Sequence, residues 1–410
     1  MGDMMTKKAV MILGAGVMQL PMIRKAKDMG LFVIASDRNA DAEGFKEADF
    51  ALTLDIKSAW AHAEWAAHNK KRFNISGVVA GADVAITAAA VSNALGLPGI
   101  SMETAERSNN KSLMKTQWLA DGIPTPWAEE VSNIEEARAA LKKTGLPCMV
   151  KAIDNAASRG SRRIDSIDEL EDALRDAKNH STTGTALIEE FVEGDEQSVE
   201  LIVWNGKHYR FGIVDRHFGF GAFPIETGHT NPSAFSPAVQ EELYKVVQDA
   251  ATSLGIDFGP YKADTIMTRK GPMVLELPAR LSGGFHSQYT TPSATGLEPQ
   301  KMALALATGL EVKEKYYTPS KDRVTICKAV FPAPGLIRSI TGVKEAKALP
   351  GVEEIFMMVG EGEVIQPYRN CGHRVCYIIA SGEDRTQAEG NWQKAADTVL
   401  IDTVSEKKYA

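Results

Sequence analysis

Over the first hundred residues, short apolar runs that read as buried strands alternate with longer stretches of helical rhythm. The strands are Ala9–Leu13, Leu31–Ala35 running on to Asp37, FALTL and ISGVVAG; the helices include AWAHAEWAAHNKKR and AITAAAVSNALG. This alternation predicts a parallel sheet with helices on both faces, whose ligands gather at the carboxyl ends of the strands. Gly14–Met18, Asp37 and Gly81–Asp83 fall at such ends and are expected to face one crevice. After the crossing segment LPGISMETAERSNNKS the rhythm changes. A helix is expected to Ala120, followed by the turn DGIPTPW, a helix over NIEEARAALKKTG and a strand PCMVKAI. A loop DNAASRGSRR, a helix IDELEDALRDAKNH and a strand TALIEEFV come next. QSVELIVWNGKHYRFGIVD then reads as an antiparallel hairpin about Asn205-Gly206. Beyond Pro319 the pattern starts again with RVTICKAVFPAPG and HRVCYIIASGED, which predicts a smaller third unit. The fold class is therefore α/β followed by α+β.

Gly14-x-Gly16 after the first strand, with Asp37 closing the second, is the beginning of a dinucleotide-binding fingerprint. The third glycine is missing: Gln19 and then Pro21 stand where the helix should pack closely on the strand. A nicotinamide oxidoreductase is open on this segment alone. A chain of 410 residues with 44% hydrophobic and 24% charged residues is that of an ordinary multidomain protein. The net charge of −7 argues against nucleic acid as partner, and no stretch approaches the length of a membrane span. Cys148, Cys327, Cys371 and Cys376 are too few and scattered for a disulfide framework, which points to a reducing cytoplasm. Cys371, His373 and Cys376 offer only three ligands, one within an apolar strand, and are not read as a zinc site. Gly2 and Thr6 match a myristoylation pattern that is read as chance.

Three segments carry chemistry. Lys111 begins a helix, and Lys151 ends an apolar strand where a buried lysine is costly unless it meets an anion. The loop after Lys151, with Ala156, Ala157, Ser158, Gly160 and Ser161, offers small residues whose amides can approach phosphate oxygens. In ALIEEFVEGDEQSVELIV, the crossover through Glu190 and Val192 can present backbone groups to an adenine edge and leave a carboxylate for ribose. In KADTIMTRKGPMVLELPARLSGG, a hairpin turning at Lys270-Gly271 brings Asp264 and Glu276 onto one face, an oxygen pair suited to Mg²⁺, with Arg280 four residues further on.

In this order the segments resemble the ATP-grasp superfamily of carboxylate-amine ligases. The resemblance implies a Rossmann-like N-terminal domain (1–105), a two-part ATP-grasp domain (106–318) and a small C-terminal α+β domain (319–410). It implies that the first domain shapes the substrate site and holds no dinucleotide. It assigns Lys111 and Lys151 to ATP phosphates, Ser158, Gly160 and Ser161 to a covering loop, and Glu190 and Val192 to adenine. Glu189 lies beside them, Glu196 holds the ribose, and Asp264 and Glu276 hold one or two Mg²⁺, or Mn²⁺. Many members read Glu-x-Asn-x-Arg at the metal strand, whereas Pro278 stands here in place of the asparagine. FPIETGHTNPS and ARLSGGFHS are most similar to the L-amino-acid ligase (dipeptide synthetase) group. There Glu226 and His229 match a pair near the acceptor amine, and Arg280 matches an arginine that grips a carboxylate or acyl phosphate. Arg216, His217 and His286 are secondary candidates for the same cavity. The function implied is ADP-forming ligation of a small carboxylate to an amine, by a cytoplasmic enzyme with room for a homodimer. The alternatives are an ATP-grasp enzyme using formate, bicarbonate or a nucleotide precursor, and a catalytically silent nucleotide-binding regulator.

Overall fold

The computed structural model describes residues 7–405, so Gly2 and Thr6 lie outside the described residues. Four parallel strands, Ala9–Leu13, Phe32–Asp37, Phe50–Thr53 and Ile75–Ala80, form the first sheet, with Ala9–Leu13 between the second and the fourth. All five residues of Ala9–Leu13 are buried, as a central parallel strand covered on both faces requires. Helix Pro299–Thr308 returns from much later in the chain onto this sheet, and Met302, Leu304 and Leu306 share a core with Val10, Ile12 and Val33. Its close approach explains Gly77: a Cβ there would lie 2.5 Å from the Ala307 carbonyl oxygen.

The crossing segment holds a helix of its own, Met102–Asn109, capped by the Ser101 hydroxyl, which accepts from the Thr104 amide. The next helix, Lys111–Ala120, starts where expected because the Asn110 side chain caps the amides of Ser112 and Leu113.

Two sheets then face each other. The smaller is antiparallel, in the order Ala128–Val131, Ala186–Glu190, Cys148–Ala152, Ser161–Ile164. Helices Ile134–Thr144 and Leu170–Asn179 cover one face, burying Cys148, Val150, Ala186 and Ile188. The period of two along a strand turns Met149, Lys151 and Glu189 to the opposite face.

The larger sheet has eight strands. Their order is Gly271–Glu276, Gly259–Thr268, Asp195–Trp204, Lys207–Gly219, Ile225–Asn231, Val324–Val330, Cys376–Gly382, Val352–Met357. Trp204 pairs with Lys207 across the Asn205-Gly206 turn, and Asp264 lies opposite Glu276. Helix Pro237–Leu254 packs on Val199, Leu201, Tyr261 and Ala263, so the alternate residues Glu196, Ser198, Lys262 and Asp264 face the cleft between the sheets.

The C-terminal segment is α+β, but its main strands are not a separate sheet. Val324–Val330 pairs with Ile225–Asn231, setting Cys327 opposite His229, and the sheet continues from there. This pairing covers what would otherwise be an open hydrogen-bonding edge of a mostly buried strand. Gly335–Thr341, Val364–Ile365 and Leu400–Val404 form a three-stranded sheet of their own.

Candidate active site

The first strand-to-helix loop has the shape of a dinucleotide cradle, but its amides are already engaged. The Ala15 amide donates to Asp37 Oδ2 at 3.0 Å and the Gly16 amide to Gln19 Oε1 at 3.1 Å, while Gln19 Nε2 reaches the Gly81 carbonyl at 2.6 Å. Gln19 thus fills the place of the missing third glycine, and Asp37 caps the loop.

Between the two facing sheets lies a cavity of about 160 Å³, lined from the small sheet by Met149, Lys151 and Glu189–Val192 and from the large sheet by Glu196, Arg216, Asp264 and Glu276. Lys111, Ala156–Ser158 and Ser161 complete it. Glu189 does not stand free beside an adenine site: its carboxylate is buried and bridges Lys151 at 2.5 Å and Lys115 at 3.1 Å. Burial pushes Lys115 down to about 8, whereas at Lys151 the same burial is outweighed by Glu189 and the pKa is raised. The Glu190 amide donates to the Trp127 carbonyl at 2.8 Å. Burial pushes the Glu196 carboxyl up to about 7 despite Arg216 at 3.0 Å. Ala157, Ser158 and Gly160 all have positive φ, 58°, 58° and 65°. The loop is tied down on two sides, by Ser158 Oγ donating to the Pro224 carbonyl at 2.8 Å and by the Cys371 amide donating to the Ala157 carbonyl at 2.9 Å.

A second chamber, of about 500 Å³, opens beyond this cleft. Ala156–Ser158, Arg216, Asp264 and Glu276 line both spaces. At this junction Lys262 pairs with Asp264 at 2.6 Å, Lys111 with Glu276 at 3.1 Å, and Arg216 touches Glu196, Glu226 and Asp264 at 3.0, 3.2 and 3.4 Å. Burial opposes the ionisation of Glu276, but Lys111 and Lys262 hold it well below the usual carboxylate range. Asp264 Oδ1 is buried without a hydrogen-bond partner among the described residues, an orphaned oxygen of the kind that suits a hard cation. Among the described residues no three His, Cys, Asp or Glu side chains gather as a metal site. The two-carboxylate junction therefore fits Mg²⁺ held jointly with substrate phosphates.

Within the chamber, Glu226 and His229 lie on Ile225–Asn231 with Nδ1 and Oε1 4.0 Å apart, and His229 Nε2 is 3.0 Å from Thr290 Oγ1. Burial opposes ionisation of Glu226, yet Arg216 and then Arg374 hold its carboxyl at about 2; burial pushes His229 and His286 down to about 3. Arg280 reaches Asp83 with Nε at 2.6 Å, which joins the segment after Gly271–Glu276 to the crevice of the first sheet. His217 does not line the chamber wall; its Nε2 is 2.9 Å from Thr230 Oγ1.

Three groups of this site escape sequence reading. Lys115 follows Lys111 by one helical turn, and Lys262 precedes Asp264 by two on a strand, so both had a periodic signal. Arg374 had none, because it reaches the chamber only through pairing of the C-terminal strands.

The matches to known proteins make the chain an ATP-dependent carboxylate-amine ligase of the ATP-grasp kind, forming C–N bonds with release of ADP, and ATP-grasp ligases use ATP and Mg²⁺. A model of the ATP-grasp domain matches residues 144–288, and one of the L-amino acid ligase C-terminal domain 2 matches residues 329–404. The Alanine dehydrogenase/PNT C-terminal domain model matches residues 2–96, in keeping with the Rossmann-like fold of the first domain. The crystal structure of an L-amino acid ligase from Bacillus licheniformis superposes with a TM-score of 0.83 at 22% identity, covering 97% of this chain and 99% of that one. Uncharacterized protein y4rH of Sinorhizobium fredii is 25% identical over 80% of this chain and 68% of its own length. A phosphoribosylamine–glycine ligase of Leifsonia xyli is 25% identical over 96% of this chain and 97% of its own.

Proposed function

We propose that the enzyme joins the carboxylate of one amino acid to the amine of a second substrate through an acyl phosphate. The observation that supports this reading is the shared wall of Arg216, Asp264 and Glu276, where the terminal phosphate of a nucleotide in the cleft meets a carboxylate in the chamber. Lys111 and Lys151 hold the phosphates, and the loop through Ser158, Gly160 and Ser161 covers them. Backbone groups of Glu190 and Val192 take the adenine, and Glu196 the ribose. Asp264 and Glu276 would hold Mg²⁺, to which Pro278 adds no side-chain ligand, and Mn²⁺ would suit the same donors. The metal, when bound, neutralises charge on the transferring phosphoryl oxygens.

A carboxylate oxygen attacks the γ-phosphorus and ADP leaves. The neutral amine nitrogen then attacks the acyl carbon, the C–O bond to phosphate breaks, and the proton that nitrogen loses ends on the departing phosphate. Arg280, already fixed by Asp83, stabilises the acyl phosphate. Against burial, Arg216 keeps Glu226 ionised, while burial keeps His229 neutral, so both can accept a hydrogen bond from the amine, orienting it or taking its proton as nitrogen attacks. A chamber of about 500 Å³ is far larger than formate or bicarbonate needs, which favours an amino acid over either. No helix among the described residues is long and apolar enough to cross a membrane, and all four cysteines are buried free thiols, which suits a reducing cytoplasm.

The test is a screen of amino acids and small carboxylates in pairs, read as phosphate release with mass spectrometry of the product. With the carboxylate of an active pair labelled with ¹⁸O, one label is expected in inorganic phosphate. Label in AMP, or ATP turnover without a joined product in any pair, overturns the reading.

A further inference from the structure

The nucleotide cleft is lined with cations, yet the protein cancels most of their charge itself. Lys111 pairs with Glu276 at 3.1 Å, Lys262 with Asp264 at 2.6 Å, and Arg216 with Glu196 at 3.0 Å. Lys151 is in the same state: its ammonium rests on Glu189 at 2.5 Å, and the pair by itself presents no net charge to a phosphate. A carboxylate there fixes the direction of the lysine but cancels its attraction for an anion.

Lys115 changes that sum. It stands one helical turn after Lys111 on Lys111–Ala120, is 2% exposed, and lines neither the cleft nor the chamber. Its Nζ lies 3.1 Å from the second oxygen of Glu189 and donates to Thr125 Oγ1 at 2.7 Å; Thr125 in turn donates to the Val274 carbonyl at 2.7 Å. Held from both sides, Lys115 is not placed to reach a ligand. Burial lowers its pKa only to about 8, so it carries its proton at neutral pH. Burial opposes the ionisation of Glu189, but Lys115 and Lys151 outweigh it and keep the carboxylate charged. Two ammonium groups on one carboxylate leave one positive charge in a buried site, where charge acts strongly, and Lys151 is the member that faces the cleft.

We propose that Lys115 is a positioning residue of the nucleotide site: without touching the nucleotide, it neutralises Glu189 and so lets Lys151 be both fixed in direction and attractive to the phosphates. Glu189 supplies the direction and Lys115 the charge. This rests on the reading that Lys151 meets the phosphates of ATP.

The test compares binding of the non-hydrolysable analogue AMPPNP, with Mg²⁺, against binding of adenosine, by calorimetry on the full chain. Lys115→Met removes the surplus charge and is expected to weaken AMPPNP about tenfold, the scale of one charge acting across a buried site, with adenosine unchanged within about twofold. Combining Lys115→Met with Glu189→Gln returns the net charge to that of the wild type, so the double variant's preference for AMPPNP over adenosine is expected within about threefold of the wild type's. Equal weakening of AMPPNP and adenosine by Lys115→Met would mark a merely structural lysine and overturn the proposal. Undiminished AMPPNP binding by that variant, or a double variant no better than the single one, overturns it as well. Should Lys115→Met not fold, the double variant, which strands no buried charge, decides alone: loss of its AMPPNP preference overturns the proposal. If Lys151→Ala binds AMPPNP as the wild type does, the placement of Lys151 at the phosphates fails, and the proposal with it.

Discussion

Glu189 shows how much a single side chain does here. It sits between two buried lysines, so its removal leaves both without a counter-charge. Glu189→Gln should cost about 3–5 kcal/mol of stability in denaturant titration, because breaking a buried pair strands charge. A second substitution, Lys115→Met, should return part of that loss. Lys151→Ala leaves Glu189 one partner and should instead show mainly as weakened ATP binding in calorimetry with the fold intact. Glu196 carries a pH signature. Its carboxyl is pushed up from 4.5 to about 7, so between those values the unfolded chain releases its proton first and the folded state binds more protons. Its contribution to stability is present below the lower value and lost as pH rises through the window. Relative to wild type, Glu196→Gln should therefore gain stability from pH 4.5 to 7 and level off above, measured by chemical unfolding at each pH.

At the scale of elements, the hairpin that carries Asp264 and Glu276 was legible because everything that sets it is local. A turn at Lys270-Gly271 and a period of two are enough to set Asp264 opposite Glu276, and the register is the one expected. Glu276→Gln should lower turnover sharply and shift the Mg²⁺ requirement of the remaining activity upward by an order of magnitude or more, read from metal titrations of ADP release, because Pro278 offers no side-chain substitute. Normal Mg²⁺ dependence in both this variant and Asp264→Asn would exclude the pair as the metal site. The covering loop was legible as small residues. Its tie to the C-terminal segment was not, since the hydrogen bond from the Cys371 amide to the Ala157 carbonyl joins residues more than two hundred positions apart. The fingerprint at Gly14-x-Gly16 was readable as incomplete from Gln19, but only the structure shows why: the glutamine side chain takes the Gly16 amide and Asp37 the Ala15 amide, the groups that phosphate would use.

For the whole molecule, the sequence divides into three rhythms, yet the hydrogen bonding does not respect the last division. Strand pairing between Ile225–Asn231 and Val324–Val330 carries the large sheet from the nucleotide side to the C-terminal side, and periodicity within either strand has no means of announcing it. His229 and Cys327 sit opposite each other across that seam. A chain ending at residue 318 should therefore be insoluble or aggregate on purification, since it leaves Ile225–Asn231 as a naked edge beside the active site. A monodisperse, ATP-binding fragment in size-exclusion chromatography and calorimetry would contradict this.

The same seam limits how new specificities can arise by exchange of parts. If each half were an independent module, grafting a C-terminal region from one ligase onto the catalytic portion of another would be an easy route to a new acceptor. Here a graft must bring a strand whose register fits Ile225–Asn231 residue by residue, because a slip of one turns every side chain to the wrong face, the wall beside His229 included. Diversification in this lineage should therefore proceed by point changes within the chamber, and laboratory recombination should succeed only where both strands at the junction are transplanted together.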